Sequence, residues 1–387
     1  MSERFFAPCP RGLETVLAAE LTRIGAADVT TVDGGAGFTG ALELACRTNL
    51  ESRIASRILW RVGGGPYRDE HALYALVKAI DWKAHFLPTR TLRVDIAATN
   101  SPLQSLEFAT LRVKDAVCDR LRDDTGVRPS IDKRLPDVRV HVHLTDRDAT
   151  IYLDTSGEPL FKRGYRRDAE DAPLRENLAA GVIALTGWTP DQPFLDPMCG
   201  SGTIAVEAAL IAADRAPGLA RTFGFQRLLW FDGPAWQRMK QSARDRIRPA
   251  PAAPTIFASD LAEGAVAKTQ GNLRTAQVDG WVETATADLL TRAAPAGSGV
   301  LVANPPYGVR LADLAQLAAF YPLLGDALKQ RFSGWTACFI TGDLRLPKLI
   351  HLKVARKVPL FNGAIECRLF AFPLVSGRHV PPPIQVE

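Results

Sequence analysis

This chain of 387 residues is poor in the residues that build metal and disulfide sites. Its six cysteines (Cys9, Cys46, Cys118, Cys199, Cys338 and Cys367) include no C-x-x-C pair, so the sequence predicts buried free thiols and neither a zinc site nor a disulfide framework. The six histidines lack metal spacing as well. His141 and His143 share one face of a probable strand but show no acidic or cysteine partner nearby, and no metal is expected. No uninterrupted apolar run reaches membrane-spanning length, and the opening MSERFFAPCPRGLE lacks the apolar segment of a secretory signal. A cytoplasmic protein with no membrane partner is therefore expected. The phosphate-cradling G-x-x-x-x-G-K-[ST] is missing too.

Charge excludes little. The net +5 is compatible with nucleic acid, but the first 170 residues carry 25 Lys and Arg against 24 Asp and Glu, so any nucleic-acid footprint must be a local patch. With 47% hydrophobic residues, the chain can bury the cores of two or three domains.

The front of the chain alternates short strands and helices. FFAPCP reads as a strand, and the helix after it places Leu13, Val16, Leu17, Leu21 and Ile24 at helical spacing before Gly25. NLESRIASRILWRV reads as a further helix with Arg53, Arg57 and Arg61 along one solvated face, and GGGPYRDE as a flexible link to a second unit starting near Asp69. That unit holds two helices, the strand TLRVDIAAT and a strand pair, VRVHVHLTD and DATIYLDTS, which implies a small α/β module. From Gln192 onward strand, turn and helix repeat, the pattern of a doubly wound parallel sheet. The insertion from Arg215 to Pro254, with Trp230 and Trp236, finds no role in this pattern.

In such sheets ligands sit outside the carboxyl ends of the strands. Those ends carry Asp196, Asp260, Asp288 and Asn304. The turn DPMCGSGT puts Gly200 and Gly202 between strand and helix, where a ligand can approach the backbone. It also satisfies G-x-G-x-x-A, but Asp196 just before it suits a cationic ligand better than a pyrophosphate. Asp260 can accept from ribose hydroxyls and Asp288 from an adenine amine. Taken singly, each is equally a helix cap. Together they point to S-adenosylmethionine, an adenosine-containing cation.

VANPPYGVRL then finds a use. The exocyclic amine of a base is a poor nucleophile because its lone pair is delocalised into the ring. The Asn304 side-chain oxygen and the Pro305 carbonyl can accept both amine hydrogens and turn the lone pair toward a sulfonium methyl, with Pro305 and Pro306 stiffening the geometry. Tyr307 offers a ring on which a flipped base stacks. Cys199 lies in the glycine turn and not after the acceptor strand, so it reads as a small buried thiol, against cytosine-C5 methylation.

LDPMCGSGT, ASDL, ATADLL and NPPYGVRL stand in the order found in amino-methylating class I methyltransferases. With GYRRDAEDAPLRENLAA, the continuation DPMCGSGTIAVEAALIAADRAPGLARTFGF, and FNGAIECRLF, the chain resembles, over nearly its whole length, the THUMP-domain RNA guanine-N2 methyltransferases of the RlmL type. The resemblance implies a ferredoxin-like unit over 1–65, a THUMP RNA-binding module over 66–160 and a Rossmann-like methyltransferase domain over 161–387. It implies methyl transfer to a guanosine of structured RNA, with 23S rRNA or a pre-ribosomal particle as the expected partner. It also implies cofactor contacts from Asp196, Pro197, Met198, Cys199, Gly200, Gly202, Thr203, Asp260, Leu261, Asp288, Leu289 and Asn304, with Pro173, Leu174 and Asn177 completing the pocket. Asn304, Pro305, Pro306 and Tyr307 would form the acceptor site. Lys162, Arg163, Arg166 and Arg167 are expected to contact phosphates near it. Some family members carry a second methyltransferase domain; the short tail SGRHVPPPIQVE predicts none here. A tRNA substrate, adenine-N6 methylation, protein glutamine methylation and a non-catalytic assembly factor stand as alternatives.

Overall fold

The computed structural model describes residues 2–166, 174–305 and 311–375, and of 311–316 the backbone alone. In chain order the elements are β1 (Glu3–Pro8), α1 (Glu14–Ile24), β2 (Ala27–Val32), β3 (Gly35–Gly40), α2 (Leu42–Glu51), β4 (Leu59–Pro66), α3 (Glu70–Lys78), β5 (Leu92–Ala98), α4 (Leu106–Thr125), β6 (Val138–Leu144) and β7 (Asp148–Asp154). Then follow α5 (Glu176–Thr186), β8 (Phe194–Asp196), α6 (Thr203–Ala212), α7 (Gly233–Asp245), β9 (Ile256–Asp260), α8 (Glu263–Ala276), β10 (Val282–Thr286), β11 (Gly299–Ala303), α9 (Leu311–Arg331), β12 (Trp335–Thr341), α10 (Leu346–Leu349), β13 (Arg356–Asn362) and β14 (Ile365–Pro373). They form two compact units. Residues 1–164 and 215–247 make the front unit; 165–214 and 248–387 make the second.

The front unit is a seven-stranded sheet in the order β2-β3-β1-β4-β7-β6-β5. Its helices form where apolar spacing and caps agree. α1 buries Leu17, Leu21 and Ile24 and stops at Gly25, whose φ of 107° lets its amide turn back onto the last carbonyls. α4 starts where the Ser105 hydroxyl accepts from the Phe108 amide and buries Val113, Val117 and Leu121.

The helix expected over NLESRIASRILWRV is not formed. α2 ends at Glu51 and Leu59 opens β4, a central strand paired antiparallel with β1 and β7. Ile54, Ile58, Leu59 and Trp60 are all buried, so this stretch has no solvent side for an amphipathic helix to present, and sheet pairing overrides the local pattern. Its arginines are correspondingly not a solvated face: Arg57 is ion-paired with Asp154, and Arg53 donates to the Arg215 carbonyl at 2.9 Å. Burial works against the charged form of Asp154, but His141 and Arg57 outweigh it and hold the carboxyl below its ordinary value. His141 thus has acidic neighbours after all. Its Nε2 lies 3.9 Å from Asp95 and 3.8 Å from Asp154, carboxylates brought in by β5 and β7. The glycines of GGGPYRDE belong to β4, beside an irregularity between Arg61 and Gly63. A Cβ on Gly63 would fall 2.6 Å from Ile80 Cδ1, so close packing, not flexibility, accounts for a glycine there.

The insertion within the second half of the sequence folds with the front unit. The Phe225 amide donates to the Thr155 carbonyl at 2.8 Å, the Leu229 amide to His85 at 2.9 Å and Arg246 to Glu51 at 2.7 Å. Phe223, Phe225 and Trp236 pack with ring centroids 5.1–5.7 Å apart. Gly157, at φ 79°, and Gly224 sit back to back where the segment meets the loop after β7.

The second unit is also a seven-stranded sheet, ordered β10-β9-β8-β11-β12-β14-β13. Strands β8 to β12 run parallel, and β14 joins β12 antiparallel in a closing hairpin with β13. The repeated strand-turn-helix pattern predicts the parallel part. The hairpin departs from it, making the sheet mixed. Tyr321, Phe332, Trp335 and Phe339 are buried in a hydrophobic cluster of this unit.

A Cβ at position 224 would meet the Asp154 carbonyl at 2.8 Å and the Gly157 amide nitrogen at 3.0 Å, both backbone atoms that cannot step aside. Gly224→Ala should therefore destabilise the front unit by about 1–3 kcal/mol, read as an earlier urea midpoint at unchanged slope.

Candidate functional site

From β8 the sheet continues in one direction through β9 and β10, and in the other through β11 and β12. The order therefore reverses between β8 and β11, the place where an open α/β sheet leaves a crevice at its carboxyl edge. Asp196 is the last residue of β8 and Asn304 the first after β11, with Val300 and Leu301 registered against Phe194 and Leu195. The reversal brings those two side chains to adjoining strand ends.

Asp196 is 1% exposed, and neither carboxylate oxygen has a hydrogen-bond partner among the described residues. Burial pushes its carboxyl up to about 8; the nearby Met198 and Ala205 amides offset part of the rise and the Asp260 carboxylate adds to it. A buried acid without a partner is costly, and a cation beside it would remove the cost.

The glycine turn after β8 is held in shape by its neighbours. Asp260 accepts from the Gly200 amide at 2.9 Å and, through its other oxygen, from the Ala262 amide at 3.0 Å. Thr269, nearly two turns into α8, donates to the Gly200 carbonyl at 3.0 Å, and Asn272 donates to the Ser201 carbonyl at 2.8 Å. Gly200 and Gly202 adopt φ values of 55° and 81°. Nothing lies within 4 Å of a Cβ built on Gly200, so its open side can admit a ligand, whereas Gly202 is a glycine because Thr269 would clash with anything larger. Burial drives the Cys199 thiol up to about 12, consistent with a packed thiol and not a nucleophile.

The other expected contacts separate into groups. Asp288 caps its own turn by accepting from the Leu290 amide at 2.9 Å. Leu261 is 73% exposed beside Asp260, whereas Leu289 is packed into the hydrophobic cluster and presents no surface for a ligand. Pro197, Leu174, Asn177 and Thr203 are buried, and Met198 packs against the same cluster as Leu289. Pro305 is buried and Asn304 half-buried. Pro173, Arg167, Pro306 and Tyr307 lie outside the described residues.

The basic run expected to contact phosphates is mostly occupied within the protein. Arg163 is buried and donates to the Leu160 and Arg53 carbonyls. Arg166 donates to the Leu174 carbonyl at 3.0 Å and to Thr203 Oγ1 at 2.6 Å, bracing the segment before α5 against the first residue of α6. Lys162 remains exposed, 2.8 Å from Glu158. Side chains that satisfy internal carbonyls are structural, and sequence alone does not separate them from solvated ones.

Residues 163–371 match the family model of the RMKL-like methyltransferase domain, 67–154 match the THUMP domain, and 4–59 match the RlmL ferredoxin-like domain. The chain belongs to the RMKL-like methyltransferase family. The ribosomal RNA large subunit methyltransferase K/L of Syntrophotalea carbinolica is 41% identical over 97% of this chain and 54% of its own length, and that of Methylococcus capsulatus is 39% identical over 99% and 53%. The chain spans about half the length of these curated relatives. Among solved structures, SMU.472 in complex with SAH superposes with a TM-score of 0.87 at 30% identity, covering 96% of this chain and 98% of that one. A possible methylase from Clostridium difficile 630 gives a TM-score of 0.89 at 28% identity, over 97% and 99%.

Within this RMKL-like domain, the motif residues were visible in the sequence, but Thr269 and Asn272, which shape the turn, were not. They sit at ordinary helical positions in α8, and no local signal marks them. Asp343, two residues past β12, was likewise missed. It is buried and clamped by Arg345 Nε and Nη2, each at 2.9 Å, at the same edge of the sheet as Asn304.

Because the folded value of Asp196 lies above its unfolded one, the native state holds a proton that the unfolded chain has released. Its penalty on stability should grow from about pH 4 and be complete above about pH 8. Asp196→Asn should thus stabilise the ligand-free RMKL-like domain, with the gain over wild type widening across that interval in urea titrations at stepped pH. A constant gap would refute it.

Proposed function

We propose that the protein transfers a methyl group from S-adenosylmethionine to the N2 amine of a guanosine in RNA, with 23S rRNA as substrate and the cytoplasm as its location. One observation carries the reading: a fully buried carboxylate whose oxygens have no hydrogen-bond partner among the described residues stands at the strand end adjoining Asn304 and Pro305. The SAH bound to SMU.472 and the likeness to the ribosomal RNA large subunit methyltransferases support the cofactor and the substrate class.

The residues present fit such a cofactor. Asp196 would hold the ammonium of its methionine part, and the open side of Gly200 would admit the chain between ammonium and ribose. Each Asp260 oxygen accepts one backbone N–H and keeps a lone pair for a ribose hydroxyl. Asp288 would accept from the adenine amine, and exposed Leu261 would cover an apolar face. When bound, the cofactor supplies an electrophilic methyl on a sulfonium.

The protein's own part at the acceptor is to orient an amine. Asn304 Oδ1 and the Pro305 carbonyl accept the two amine hydrogens, which frees the nitrogen lone pair from the ring plane. The fixed φ of Pro305 limits the freedom of that carbonyl. Once methylated, the amine carries a proton acidic enough to leave to solvent, so the scheme needs no strong general base.

Asn304→Ala should lower kcat by about 10²-fold or more with little change in cofactor affinity. The deciding experiment incubates the protein with methyl-labelled S-adenosylmethionine and, separately, unmodified 23S rRNA, tRNA and duplex DNA, then identifies the labelled nucleoside. N2-methylguanosine in 23S rRNA is expected. The same nucleoside in tRNA would move the substrate, and N6-methyladenosine would overturn the choice of amine.

A further inference from the structure

The front unit contains a cleft of about 850 Å³ with no part in the chemistry above. One wall comes from the start of β6 and the loop after β7, the other from the insertion between α6 and α7. Its charged lining is Arg139, Lys162, Arg221 and Arg227 against Asp137 and Glu158, four cations to two carboxylates. In a sequence whose first 170 residues are almost neutral, this is a concentrated positive surplus.

The surplus is poorly neutralised. Glu158 is shared between Arg139 at 3.1 Å and Lys162 at 2.8 Å. Asp137 lies 3.5 Å from Arg227. The Lys162 and Arg227 side chains are 62% and 53% exposed, and ion pairs that open to water exchange readily for another anion. Arg221 donates to the backbone carbonyls of Glu158, Pro159 and Lys162 and makes no ion pair within 4 Å among the described residues. Its buried Nε has no hydrogen-bond partner among the described residues, and its guanidinium lies 5.2 Å from the Phe223 ring centroid. The back-to-back glycines Gly157 and Gly224 fix the two walls together, so the cations are held in place before any ligand arrives.

We propose that this cleft binds the phosphodiester backbone of the substrate RNA, and that the insertion exists to supply half of it. The inference rests on the RNA-methylating reading and adds to it a footprint contributed by residues 220–231, outside the segment that matches the THUMP domain. Arg227 and Lys162 are the displaceable contacts; Arg221 and Arg139 fix the shape and supply background charge. A backbone contact of this kind adds affinity and register without reading bases.

The test uses the full chain and an unmodified 23S rRNA transcript, with binding followed from 50 to 250 mM KCl. Lys162→Gln/Arg227→Gln should reduce the slope of log K against log salt by about 2, corresponding to two phosphate contacts. Thr222→Glu is the second variant: Thr222 is exposed on the cleft, so the change adds a negative charge at its surface, and it should weaken RNA binding at least about threefold. In both, SAH binding and kcat at saturating RNA should remain as in wild type while KM for RNA rises. Wild-type slope and affinity in both variants would overturn the inference alone. A wild-type chain that binds SAH but not RNA would overturn the proposed function with it.

Discussion

The parallel pairing of β11 against β8 is the constraint on which the second unit depends. β8 is three residues long and has a partner on each side, β9 in one direction and β11 in the other. Because the chain departs both ways from this short strand, helices cannot close over the crevice between them. A carboxylate and a carboxamide far apart in sequence are thereby brought to one edge. Hydrogen bonds from Asp260, Thr269 and Asn272 then fix the glycine turn, so that the backbone needs little rearrangement on binding.

That arrangement has a cost in the free protein. Asp196 is buried near a second carboxylate, and its oxygens have no hydrogen-bond partner among the described residues. A neutral side chain at this buried position would avoid the cost of burying a charge, so the acid there speaks for a ligand more strongly than a motif alone. The hydrophobic cluster around Tyr321, Phe332 and Trp335 supplies the stability that such a site draws upon.

Much of this was legible in the sequence where local signals and long-range packing agree. Helix α1 follows the apolar spacing of Leu17, Leu21 and Ile24, and Gly25 marks an end that the structure confirms. The strand-end acids were legible because position after a strand is a local property. NLESRIASRILWRV misled because its spacing is helical while its surroundings are a central sheet, a choice made by partners distant in sequence. Arg163 and Arg166 read in the sequence as phosphate contacts, and the internal carbonyls they serve are visible only in the fold. The insertion gave no sign of its destination, since FGF becomes informative only when Gly157 is seen against Gly224.

The excursion of residues 215–247 also bears on how the chain is made. A polypeptide emerges from its N-terminus, and domains of most proteins close as soon as their last residue is out. Here β1 to β7 are complete by Asp154, yet Leu50, Trp60, His85 and Thr155 gain their coverings only from residues some sixty or more positions later. The front unit must wait, partly uncovered, while α5, β8 and α6 of the other unit are synthesised. Its folding is thus tied to synthesis of the segment that carries the glycine turn, and a nascent chain broken off before that point has no finished N-terminal unit to release.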